Sequence, residues 1–141
     1  MTIRRIVLCT LCICFFTQPA NTNPPVANTF PDMAGDILLI AVSTNTSCQG
    51  SSLMIEGMVD WWTGKNAAVQ QEGLHDVVFG TGLLLMGTAG ATIALNNLPI
   101  PERFKERNTT LIAKLFISGL TLAAAAIAHE IYTYNKDNEQ Q

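Results

Sequence analysis

Charge is scarce in this chain. Asp, Glu, Lys and Arg make up 13% of its 141 residues, about half the usual share of a soluble domain. Only eight residues are basic and the formal net charge is −3, so there is no basic footprint of the kind that nucleic acid requires. There are only two histidines, His75 and His129. Each is followed directly by an acid, and neighbours at i,i+1 on a helix point apart. No nucleophile, base and orienting group can be assembled from the sequence, and no lysine follows the glycines of 80–90 as a phosphate-binding loop needs. The chain is therefore expected to be no enzyme, with no cofactor, no metal and no small-molecule substrate.

What is abundant is apolar: hydrophobic residues make up 48% of a chain of at most one domain. Arg4 and Arg5 precede an eleven-residue apolar run, Ile6 to Phe16, and a polar, proline-rich stretch follows. This is the layout of a secretory signal peptide over 1–20, and the run is too short to span a bilayer of ~30 Å. Cys9, Cys12 and Cys14 would leave with it. Cys48 would remain as the single cysteine, with the choice open between an intermolecular disulfide, a free thiol and a small apolar residue. The remaining chain holds six Lys/Arg and eleven Asp/Glu, a net −5.

Residues 21–51 read as a flexible exported arm. It contains a short apolar helix at 36–42 and a loop at 43–52, "STNTSCQGSS". Residues 52–76 read as an amphipathic, interfacial helical region. Leu53, Met54, Met58, Val59, Trp61 and Trp62 form a wide apolar face opposite Glu56 and Asp60, with a stop at Thr63-Gly64. Trp61 and Trp62 suit a membrane–water interface.

Two charge-poor stretches follow. Val77 to Pro101 holds 25 residues without charge; Asn108 to Ala128 holds 21 with one, Lys114, near enough to the end to snorkel. They predict an all-α membrane protein built on a two-span helical hairpin: helix 77–100, a basic loop 101–109, helix 110–131 and a polar tail 132–141. Tyr132 and Tyr134 mark the far interface. Arg103, Lys105, Arg107 and Lys114 are four of the eight basic residues, and the positive-inside rule puts them in the cytoplasm. A cleaved leader gives the same orientation, with both termini exported, as in a multi-pass protein of a bacterial inner membrane.

The first span is also rich in glycine. At about 100° per residue, Gly80, Gly87, Ala91 and Ala94 share one side, with Gly90 beside them, and Gly73, Gly80, Gly87 and Ala94 recur every seven residues. Gly82, at about 200° from Gly80, lies off this stripe. On the second span Gly119, Ala123 and Ala126 share a face that Glu130 continues. Such stripes admit another helix backbone, and a seven-residue period implies a shallow left-handed crossing. The contact could lie within the hairpin or between copies.

Glycine in the first helix, a polar cytoplasmic loop and outward termini resemble the c-subunit of rotary ATPases. That family needs a carboxylate near the centre of the second helix, and Leu115 to Ala128 has none, so proton translocation is excluded. The layout of leader, two spans and basic turn is similar to pilins of type IV secretion and conjugation machines and to small inner-membrane parts of those machines. That similarity implies a structural subunit in the bilayer, with copies of itself or other membrane subunits as partners. A holin-like permeabilising hairpin and an accessory subunit of an organellar complex are the alternatives.

Overall fold

The computed structural model describes residues 30–106 and 108–139. Residues 1–20, read as a leader, the first part of the stretch read as an arm, and Arg107 lie outside these residues. Three long helices follow one another: α1 (Phe30–Thr63), α2 (Ala67–Asn97) and α3 (Thr109–Glu139), with a 3-10 turn, Glu102–Phe104, before α3. Among the described residues there is no strand, so the chain is all-helical. Two segments, Ala67–Asn97 and Glu102–Lys136, are long and apolar enough to cross a membrane.

The arm is more ordered than its sequence suggests. Residues 36–42 are no separate short helix and 43–52 are no loop; both run inside the 34-residue α1. Serine and threonine are poor helix formers because their hydroxyls compete for the backbone. Here two of the hydroxyls bond back along the helix, Thr46 Oγ1 to Val42 O at 2.9 Å and Ser51 Oγ to Ser47 O at 2.9 Å, while Ser47 Oγ reaches Leu84 O of the next helix. The local preference for a loop is thus neutralised, and tertiary packing decides. The helical region at 52–76 also divides, with α1 ending at Thr63 as the Thr63-Gly64 signal implies and α2 starting at Ala67.

The turns are short and closed by side chains. Gly64 N–H donates to Asp60 O at 2.8 Å, and Gln70 Nε2 donates to Gly64 O at 3.1 Å. Asn66 caps α2 from an extended conformation, its Oδ1 accepting from Val69 N at 2.9 Å. Replacing Asn66 by alanine is expected to cost about 1 kcal/mol, the usual cost of losing an N-cap. Thermal or denaturant unfolding of the purified protein measures it, and an unchanged midpoint would show that the cap is idle. At the other end α2 stops before Pro99, which disfavours helix at the residue before it. Asn96 Nδ2 donates to Glu106 O at 2.7 Å, and Asn108 Oδ1 accepts from Leu111 N at 3.0 Å at the start of α3.

The order is antiparallel throughout, with α2 between the other two; α1 and α3 are not packed on one another. The hairpin of two helices is therefore part of a three-helix layer. The apolar core, Phe79, Leu83, Met86, Ala123 and Ala126, sits between α2 and α3, with Leu53 of α1 and Phe116, Leu120 and Ile127 of α3 against it.

Candidate functional site

The most specific geometry in this protein is the pair of seams on either side of α2. On the α1 side, a Cβ added at Gly80 would fall 2.5 Å from Gly50 O and 2.7 Å from Met54 N. Added at Gly50, it would fall 2.6 Å from Gly80 O. Seven residues further along each helix the arrangement repeats: a Cβ at Gly73 would meet Gly57 O at 2.6 Å, and one at Gly57 would meet Gly73 O at 2.5 Å. In the other direction Gly87 lies against Ser43 and Ser47, where a Cβ would come 2.5 Å from Ser43 O and would collide with Ser47 Oγ.

Real Cβ atoms do not approach backbone so closely, so these positions admit only glycine without movement. In each reciprocal pair an α-hydrogen stands where the Cβ would be and points at the facing carbonyl. Such Cα–H···O contacts are worth about 0.5–1 kcal/mol each. The last step of the series brings Asp36 to the far end of α2, where its Oδ1 accepts from Asn97 Nδ2 at 3.2 Å. The seam therefore runs the whole length of α2.

The second seam lies opposite. A Cβ at Gly82 would fall 2.7 Å from Gly119 O, and one at Gly119 would fall 2.6 Å from Gly82 O. Gly82 is off the first stripe because it belongs to this one: two residues on from Gly80 turn a helix by about 200°, onto its other face. Ala123 and Ala126 are buried in the same seam. Seven residues before Gly82, His75 reaches across, its Nε2 standing 2.8 Å from Ala126 O. A carbonyl only accepts, so Nε2 carries the proton in that bond. His75 and Asp76 do not point apart as the spacing rule has it. His75 Nδ1 is 3.6 Å from Asp76 Oδ1, with Asp76 buried and His75 half-buried, and the His129 ring lies 6.2 Å away. Among the described residues, no three His, Cys, Asp or Glu side chains gather as a metal would need. Through its bond to Ala126 O, His75 links α2 to α3.

The sequence-derived positions distribute as follows. Gly73, Gly80 and Gly87 face α1, Gly90 and Ala94 are buried, and Ala91 is half-buried. Gly119, Ala123 and Ala126 face α2. Trp61 and Trp62 end α1, and Tyr132 and Tyr134 lie towards the end of α3; antiparallel packing brings all four to one end of the layer, exposed. Arg103, Lys105 and Lys114 lie at the other end, with Lys105 Nζ 3.2 Å from Glu102 Oε1 and the Arg103 guanidinium 4.8 Å from the Phe104 ring centre. Sequence reasoning missed the partners: Ser43, Ser47, Gly50 and Gly57 of α1, and Gly82. The spacing 43, 50, 57 is a legible signal, the mirror of 73, 80, 87, but its first two positions fall in a stretch read as loop and only Gly57 in one read as helix. No family model matches this chain, and no curated protein or solved structure matches it either.

Proposed function

We propose that the protein is a small multi-pass membrane protein, a non-enzymatic structural subunit of a larger membrane assembly. The type IV-like secretion or conjugation machine is the setting whose layout fits best, and a bacterial inner membrane is the membrane. The carrying observation is that glycines bring backbone against backbone on both sides of α2, a packing specialised for helix–helix contact. The outward sides of α1 and α3 remain as surface. Ile37, Leu38, Ile55, Val59 and Trp62 are exposed on the first, and Leu111, Ile117, Ile131 and Tyr132 on the second. Lipid and neighbouring membrane helices suit such a surface.

The basic end supports a cytoplasmic place for the 101–109 loop, and the single crossing by α3 then puts the tail on the exported side. The leader reading puts the arm on the exported side as well, an assignment on which the packing of α1 bears directly. Because α1 covers the stripe at Gly73, Gly80 and Gly87, association of copies uses the outer faces of α1 and α3 instead.

The test is chemical crosslinking in membranes followed by blue-native electrophoresis of the detergent-solubilised protein. Discrete oligomers or a larger complex are expected. A strict monomer would remove the assembly reading, and dye leakage on induction would replace it with the holin-like one.

A further inference from the structure

We infer that α1 is a third membrane-crossing helix, its outer face covered by lipid acyl chains. This rests on the reading that α2 and α3 cross the membrane, and goes beyond it in span number and in the sidedness of the arm. The first observation is registration. The glycine pairs hold α1 against α2 from Gly57 opposite Gly73 to Asp36 beside Asn97. A helix fixed at van der Waals distance along all of α2 lies at the same depth as α2.

The second observation is length. From Ile37 to Ile55, between Asp36 and Glu56, there are 19 residues without charge. At 1.5 Å per residue they cover about 28 Å, close to the ~30 Å of a hydrocarbon core.

The third observation is where the polar groups go. Ser43 and Thr46 are buried, Ser47 Oγ donates to Leu84 O of α2 at 3.5 Å, and Thr46 and Ser51 bond back along α1. Averaging over sequence counts these residues against α1, although they face protein. Thr44, Asn45 and Ser52 remain outward, with Gln49 half-buried, which keeps α1 less apolar than its neighbours.

Three spans change the sidedness. The start of α1 shares a side with the basic loop, and the Gly64–Asn66 turn shares the opposite side with the tail. The two sequence signals for orientation agree for two spans and part for three. The positive-inside rule then places residues 30–36 in the cytoplasm, against the exported arm that a cleaved leader implies.

Cys48 is a native probe, exposed on α1 close to the level of Gly82 and Gly119. Ile117, 62% exposed on α3, is at nearly the same depth. Full-length protein with Cys9, Cys12 and Cys14 replaced by alanine is labelled with a membrane-impermeant maleimide, in sealed and in opened vesicles. Maleimide reacts with the thiolate, which forms in water. Cys48 is expected to stay unlabelled in both preparations and to label fully in SDS, as is Ile117→Cys in a background lacking Cys48. In sealed vesicles Met33→Cys and Phe104→Cys are expected to label from one side, and Lys65→Cys and Lys136→Cys from the other. Free labelling of Cys48 with Ile117→Cys protected overturns the inference and leaves the membrane reading standing. Free labelling of both removes the membrane reading and the inference with it. Met33→Cys and Lys65→Cys on one side also overturns the inference.

Discussion

Gly80→Leu will drive α1 away from α2. A single Cβ at this position would already stand 2.5 Å from Gly50 O and 2.7 Å from Met54 N. Both are backbone atoms of a helix and have no rotamer through which to move aside. Leucine adds three more carbons in the same direction. Overpacking usually costs about 1–3 kcal/mol, when neighbouring side chains can adjust; here they cannot, so a loss of about 3 kcal/mol or more is expected. Trp61 and Trp62, both on α1, provide the signal: SDS titration followed by tryptophan fluorescence should show α1 released at lower detergent fraction. Gly35→Leu is the control. It lies on α1 with nothing within 4 Å of its Cβ position, and the gain in helix propensity is worth about 0.5–1 kcal/mol. A Gly80→Leu protein as stable as the Gly35→Leu protein would show that the seam does not hold the two helices together.

The same seam shows how much of the fold was legible. The hairpin of α2 and α3 could be read because its signals are local: long charge-free runs, a proline stop and a charged turn. The stripe Gly73, Gly80, Gly87 could be read because seven-residue spacing needs only one helix. What could not be read was the partner. The stretch 43–52 has the composition of a loop, and no local rule weighs a buried glycine contact 30 residues away against poor helix propensity. The pairing of Gly50 with Gly80 is information about two segments at once. Gly82 is the same case in miniature: it looked superfluous until a second neighbour, Gly119, was placed on the opposite face. His75 was misjudged for a related reason. Its spacing to Asp76 was weighed, while its reach to Ala126, across to another helix, had no sequence signature.

The two seams also differ in kind, and this yields the second large effect. The α1 side is closed by backbone against backbone, whereas the α3 side adds bulk: Phe79, Leu83 and Met86, fully or almost fully buried against Ala123 and Ala126. Phe79→Ala in a water-soluble bundle would lose about 3–5 kcal/mol, the sum of a transfer term and a cavity term. For helices already in lipid the transfer term disappears, since separated helices expose the phenyl ring to hydrocarbon and not to water. The cavity and its lost contacts remain, about 1–2 kcal/mol. The expected order is therefore Gly80→Leu worse than Phe79→Ala, the reverse of what burial of the phenyl ring would suggest for a protein in water. Both variants are compared with wild type by the same SDS titration in bilayer-mimicking micelles. A Phe79→Ala loss of about 3–5 kcal/mol, equal to or above that of Gly80→Leu, would mean that the ring is shielded from water rather than from lipid, and the membrane-spanning reading of α2 and α3 would fail with it.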